Sequence, residues 1–375
     1  MKYELNNQIY SINDELSINV LVVGFATKIL ANQILKNLED LEQVVPLLKT
    51  KLYKDDNKYY FFEMENSFDY KIEECDNVNT WIANQVKTPL DIFNGEFFRI
   101  ALNNENKLII IAHNIFSDSR GLINFSKALL IGKDKFNFTY NEDLNSKLNI
   151  INKITANNFK KLEKEADIKL ETSKLKVKRI NIKSKIVYSL CSSYGVSTLA
   201  FFIAIALSLN KAKRKTIKIP FCIKESDNNL LVNDSYNIKF KRGLEPRLSF
   251  YDNAGEIDKL FKSFLKRKPY LKRYEILKNV PTNLKADPLK NSKYLNYIKS
   301  ELYFDVLPSI DEDEVIRTLQ FYPSSSFVSN GFGISIVDDK ISISSIIHDE
   351  EGEKFFNDFQ KTINLISKNS DLVLK

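Results

Sequence analysis

The 375-residue chain has only two histidines, His113 and His348, and three cysteines, Cys75, Cys191 and Cys222, all far apart in sequence. An odd number of cysteines with no CxxC pair and no Cys/His cluster argues against a disulfide framework and a zinc site, so these thiols read as reduced and buried. No metal is expected. Two distant histidines leave Ser-His-Asp and Cys-His arrangements poorly supplied, and GxGxxG, P-loop and GxSxG patterns are all missing. The N-terminal stretch "MKYELNNQIYSINDEL" is polar and has no hydrophobic signal core. The longest apolar helix, near "STLAFFIAIALSL", has only the length of a core helix, which predicts a cytoplasmic protein with no membrane span. A net charge of +7 drawn from 55 basic and 48 acidic residues is too mild to imply nucleic acid. No nucleic-acid-binding motif accompanies it.

What the chain does have is apolar surface. Hydrophobic residues make up 43% of it, with 26 phenylalanines beside 17 tyrosines, a composition that packs. Its length exceeds the size at which one hydrophobic core stops growing, which predicts two lobes.

Periodicity places the elements. "NVLVVGF" reads as a strand, and the following segment puts Ile29, Leu30, Ile34, Leu35, Leu38 and Leu41 on one helical stripe that ends before Pro46. "LLKTKLY" and "KYYFFEME" read as strands, and "TWIANQVKTPLD" as a short helix. Phe97 to Leu102 and Leu108 to Ala112 form a hairpin across Asn103 to Asn106, and "SRGLINFSKALLIG" forms a helix closed by Gly132. A polar Lys/Asn-rich connection follows, with the boundary between lobes near 170, giving an N-terminal lobe over 1–170 and a C-terminal lobe over 171–375.

In the second half, "KSKIVYSLCSSYG" is a helix stopping at Gly195, and Ser197 caps the internal helix "TLAFFIAIALSLN". "TIKIPFCIKE" is a strand, and "EIDKLFKSFLKRKPYLKRYEILKN" is mostly helix. "GFGISIVDDKISISSII" is a hairpin turning at Asp338 and Asp339. Phe355, Phe356, Phe359, Ile363 and Ile366 share one face of the last helix. Strands with covering helices in each half predict an α/β architecture. Two basic clusters stand out, 174–185 and 266–274; in the first, Lys174, Lys176 and Lys178 alternate with Leu175 and Val177 as on a half-buried strand. Its cationic side is either a solvated face or a dock for an acidic partner.

Several landmarks then align. "VVPLLKTKLY", "TPLDIFNGEFFRIAL", "HNIFSDS", "YGVSTLAFFIAIALSL", "IKIPFCIKE" and "VSNGFGISIVDDKISISSI" occur in that order. Together they resemble segments of the chloramphenicol acetyltransferase-like superfamily, which includes the condensation domains of nonribosomal peptide synthetases. The resemblance implies two chloramphenicol-acetyltransferase-like lobes in an α+β sandwich, forming a pseudo-dimer with a central tunnel. It also implies acyl transfer from a thioester of coenzyme A or of a phosphopantetheine-bearing acyl or peptidyl carrier protein to a small-molecule alcohol or amine. No permanently bound cofactor is implied, and the chain is expected to be a monomer.

The family motif is HHxxxDG, and its second histidine takes the proton from the attacking acceptor, a task suited to a group with pKa near neutrality. Matched residue by residue, His113 stands at the first His, Asn114 at the catalytic base, Asp118 at the Asp and Ser119 at the Gly. An amide takes no proton at neutral pH, and general-base catalysis supplies about 10² to 10⁴ in rate. Asn114 can still orient a nucleophile or donate to an oxyanion.

His113 is either a substitute base or a packed structural histidine, because neighbours on a strand face opposite ways. Asp118 is expected to pair with an arginine, Arg99 or Arg120. In "SSSFVSNGFG", Ser329 and Asn330 are candidates to line the tunnel, while Gly331 and Gly333 suggest a loop with unusual backbone angles. His348 opens the polar "HDEEGE" run and reads as an exposed turn residue. The favoured function is a stand-alone condensation-like acyltransferase in secondary-metabolite or lipid biosynthesis. The competing reading is a catalytically inactive member of the fold, a binding or scaffolding partner.

Overall fold

Residues Ile18–Phe25 are apolar along nearly their whole length, and in the computed structural model every one of them is buried, in a strand that has a neighbour on each edge and a helix packed against it. The structure describes residues 2–4, 12, 14, 16–28, 30–55, 58–66, 68–132, 175–209, 214–222, 235–267, 295, 298–310 and 316–368. The expected boundary near 170 and residues 268–274 of the basic cluster at 266–274 lie outside them.

The N-terminal half contains β1 (Lys2–Glu4), β2 (Ile18–Phe25), α1 (Ala31–Glu42), β3 (Thr50–Asp55), β4 (Lys58–Glu63), β5 (Ile72–Cys75), α2 (Val78–Gln85), β6 (Phe98–Asn103), β7 (Lys107–His113) and α3 (Ser119–Ile131). The second half adds β8 (Lys176–Lys183), α4 (Ser184–Ser193), α5 (Thr198–Ser208), β9 (Lys215–Cys222), β10 (Ser235–Arg242), α6 (Phe250–Arg267), β11 (Ser300–Val306), β12 (Ile316–Pro323), β13 (Val328–Val337), β14 (Lys340–Ile347) and α7 (Glu350–Lys368).

Among the described residues the strands form three sheets, with orders β1-β4-β3, β12-β2-β7-β6-β5 and β10-β9-β11-β13-β14-β8. Helices α1 and α3 pack together beside the five-stranded sheet, and α4 to α7 pack beside the six-stranded one. The fold is thus mixed α/β with a core on each side. One core gathers Val20, Val22, Ile34, Leu38, Phe98, Ile110, Phe116 and Phe125. The other gathers Phe201, Phe202, Phe304, Phe332, Phe356 and Phe359.

Local chemistry explains most boundaries. The β6–β7 hairpin turns with Asn106 at positive φ, and β13–β14 turns with Asp338 at positive φ, both residue types that tolerate that region. Ser197 accepts from the N–H of Ala200 to start α5, whose residues 200–207 are all buried. On α7, Phe356, Phe359, Ile363 and Ile366 form the buried stripe. Leu30 departs from its expected stripe: it is the N-cap of α1 and is 64% exposed. Among the described residues, no single helix is long and apolar enough to cross a membrane.

The halves are joined by an exchange. β12 lies between β11 and β13 in sequence yet pairs antiparallel with β2 of the other sheet, Leu319 opposite Val23 and Tyr322 opposite Val20. Its other side packs on β13 and β14, where Ser335 Oγ donates to the Leu319 carbonyl. Gly331 and Gly333 are therefore not in a loop: they lie within β13 with ordinary φ. They are small because β12 crosses directly over them, Pro323 O standing 3.1 Å from where a Cβ of Gly331 would be.

Candidate functional site

The segment "HNIFSDS" turns from the end of β7 into α3 where the two large sheets meet. His113 is the last residue of β7, its N–H bonded to Phe97 O at 2.9 Å. The next N–H, of Asn114, bonds to Ser17 O at 2.9 Å, and Phe116 N–H returns to His113 O, which closes a turn. Asp118 then caps α3, accepting from Gly121 N–H at 2.8 Å.

His113 is buried, and its Nδ1 accepts from the N–H of Ile115 at 3.2 Å. That bond engages the Nδ1 lone pair in holding the turn, so a neutral ring carries its proton on Nε2. Asn114 is half-buried, and its Nδ2 donates to Ser17 Oγ at 2.9 Å and to Ser324 O at 3.5 Å. It thereby links β7, the segment before β2 and the end of β12.

The expected arginine partner of Asp118 is corrected on both candidates. Arg99 donates from Nε to Glu96 Oε1 at 2.7 Å and from its terminal nitrogens to Glu96 Oε2 and the carbonyls of Gln85, Thr88 and Pro89. Its guanidinium braces the loop before β6. Arg120 is exposed, on the first turn of α3. Asp118 caps α3, where the N-terminal N–H groups favour a negative charge.

Ser119 makes a contact that its own motif does not announce. Its Oγ donates to Asp305 Oδ1 at 3.1 Å, and Tyr303 Oη donates to Asp305 Oδ2 at 3.4 Å. Burial pushes the Asp305 carboxyl up to about 7; the hydroxyl of Ser119 opposes this and the neighbouring Asp118 adds to it. Lys218 on β9, itself buried, sits over the Tyr303 ring at 5.6 Å.

Strand register makes these groups part of one face. Lys218 is beside Tyr303, Tyr303 beside Gly331, and Asp305 beside Gly333. The Asp305 row continues through Ser344 on β14 to Arg179 on β8. Leu302 and Phe304 alternate with them toward the helix-covered core. A polar face of the six-stranded sheet is thus turned toward the N-terminal half. The signal available in the sequence was a lone Asp inside the otherwise apolar run "LYFDVL".

The other expected lining residues are dispersed. Ser329 is exposed, and Asn330 stands beside Leu302 with its Oδ1 near Gly352, on the helix-covered side of the sheet. Of the preceding serines, Ser324 meets the motif through its carbonyl, which accepts from Asn114, while Ser325 and Ser326 bind Asp14 before β2. His348 is also corrected. It is 7% exposed rather than a surface turn residue, and burial pulls its imidazole down to about 4.

No family model and no curated protein sequence matches the chain. Solved structures do. The first condensation domain of the calcium-dependent antibiotic synthetase, in complex with a substrate analogue, superposes with a TM-score of 0.68 at 9% identity, over 100% of this chain and 97% of that one. A mutant of the starter condensation domain of rhizomide synthetase, in complex with C8-CoA, gives 0.69 at 10% identity over 100% and 96%. Polyketide synthase associated protein 5 from Mycobacterium tuberculosis gives 0.62 at 12% identity over 98% of each chain. The chain has the condensation-domain fold.

Proposed function

We propose that the chain is a condensation-type acyltransferase that moves an acyl group from a thioester, of coenzyme A or of a phosphopantetheine carrier protein, to a small-molecule amine or alcohol. The observation that carries this reading is the position of "HNIFSDS", at the junction of the two large sheets and bonded through Ser119 to the polar face of the opposite one. The rhizomide synthetase domain has been seen with C8-CoA and Leu-SNAC, which supports a thioester donor and an amino-acid-like acceptor here. An amine suits Asn114 better than an alcohol does, since a neutral amine attacks before it loses its proton. Lys176 and Lys178 pair with Glu353 at 2.5 and 3.1 Å, so the exposed Arg179, Lys183 and Lys185 are the charges offered to an acidic carrier or to phosphates.

The competing reading is a catalytically inactive binding or scaffolding partner. It draws on Asn114, whose amide is bonded within the chain to Ser17 and Ser324. A panel of acyl-CoAs and acyl-carrier proteins with amine and alcohol acceptors separates the two in wild-type, His113→Ala and Asn114→His forms. Thioester consumption tied to product supports transfer, and a rise on Asn114→His locates the chemistry at that side chain. Thioester binding without turnover in any form supports the inactive reading.

A further inference from the structure

The motif lacks an imidazole where a base is needed, yet it acquires a hydroxyl where the family motif has glycine, and that hydroxyl is bonded to a buried carboxyl. We propose that Asp305 is the proton acceptor of the acyl transfer, reached through the hydroxyls of Ser119 and Tyr303. The inference rests on the acyl-transfer reading above.

The geometry has three parts. Asp305 is 5% exposed, so no acceptor touches it directly. Each of its oxygens is engaged by a hydroxyl, Oδ1 by Ser119 at 3.1 Å and Oδ2 by Tyr303 at 3.4 Å. Both hydroxyl-bearing residues are half-buried, more exposed than the carboxyl they bond. A hydroxyl gives and takes a proton at once, and hydrogen-bonded chains at low dielectric strengthen one another.

The surroundings hold Asp305 in the range a base requires. Desolvation favours its neutral form, with Asp118 at the start of α3 adding repulsion. Its own strand presents Tyr303, with Lys218 of β9 behind that ring, and the α3 N-terminus favours the anion. Across the sheet the row offers uncharged Gly333 and Ser344 before the exposed Arg179. The balance leaves the carboxyl near 7, where a base is both ionised and basic enough to work.

The step balances without a further reactant. The acceptor nitrogen or oxygen forms a bond to the thioester carbonyl carbon while its proton passes to Ser119 or Tyr303, whose own proton moves to Asp305. The C–S bond then breaks as the proton returns along the same path to the leaving sulfur. Products are the acylated acceptor and a free thiol.

The test is the pH dependence of kcat and KM with a thioester donor and amine acceptor. Wild type is expected to gain rate as pH rises through about 7. Asp305→Asn should lose about 10² or more in kcat, with KM little changed and the pH limb gone, and Asp305→Glu should restore part of the limb. The double variant Ser119→Gly/Tyr303→Phe should lose the limb even if Asp305→Asn does not fold. A folded Asp305→Asn with wild-type rate and limb, or a double variant with both, overturns the inference and leaves the acyl-transfer reading standing. Absence of turnover by the wild type across the whole panel refutes both.

Discussion

Gly333 of β13 lies so close beneath Phe321 of β12 that a Cβ at position 333 would stand 1.7 Å from the Phe321 carbonyl oxygen. The contact is backbone against backbone, so no side-chain rotation relieves it. It is also where the exchanged strand crosses the sheet it came from. Gly333→Ala is expected to cost about 3 kcal/mol or more, and Gly331→Ala less, because its nearest atom would be at 3.1 Å. Urea midpoints for the two variants check the order; equal stabilities would place the crossing elsewhere.

Asp14 fastens the segment before β2 to the loop after β12. It accepts from the hydroxyls of Ser325 and Ser326, both at 2.7 Å, from Ser326 N–H and from Leu16 N–H. Burial raises its carboxyl pKa against these bonds, which all favour the ion. Asp14→Ala should destabilise by about 2 to 4 kcal/mol, since hydrogen bonds to a charged group are worth about 1.5–3 each and the half-buried hydroxyls of Ser325 and Ser326 lose their acceptor. The paired variant with Ser325→Ala and Ser326→Ala should recover part of that loss in the same denaturation series.

Asp305 and His348 oppose each other in their effect on stability. Asp305 titrates at about 7 in the folded chain against 3.8 unfolded, so between those values the native state holds a proton the unfolded chain has lost. Its contribution is full at low pH and is lost as pH rises toward 7. His348 titrates at about 4 against 6.5, so the unfolded chain takes up a proton the native state refuses, and its contribution is lost as pH falls from 6.5 toward 4. Denaturant midpoints from about pH 4 to about pH 8 should therefore change little for wild type. Asp305→Asn should lose stability on acidification, and His348→Gln on alkalinisation. Parallel curves for all three proteins would refute the pair.

Ser324 has a buried hydroxyl with no hydrogen-bond partner among the described residues. Leaving such a group unsatisfied costs about 1–3 kcal/mol. Ser324→Ala removes the hydroxyl and keeps the backbone carbonyl that Asn114 uses. A rise in stability of about 1 kcal/mol is expected by urea unfolding, and a fall would mean that the hydroxyl has a partner in solution.

Periodic elements were legible in the sequence because their signals are local. The α7 stripe, the Ser197 cap and the turns at Asn106 and Asp338 each depend on residues a few positions apart. The motif was legible too, and so was its missing base. Contacts between distant strands were not. Leu30 has the periodicity of its helix but falls at the cap, and His348 has polar neighbours in sequence but buried surroundings in space. "SSSFVSNGFG" is rich in hydroxyls throughout, yet Ser324 and Ser325 meet the first half of the chain while Asn330 faces the helices.

The sequence by itself determined the mixed α/β plan, most of the helices and both long hairpins, and the residue standing at every motif position, because hydrophobic period and capping chemistry act within a few residues. Tertiary structure decided that β12 leaves its own half to pair with β2, that the glycines of β13 sit beneath it, and that Ser119 meets Asp305 across 186 positions of chain. The physical reason is that a buried strand edge or a buried carboxyl is satisfied by whichever partner the packing brings near, and sequence spacing carries no record of that partner.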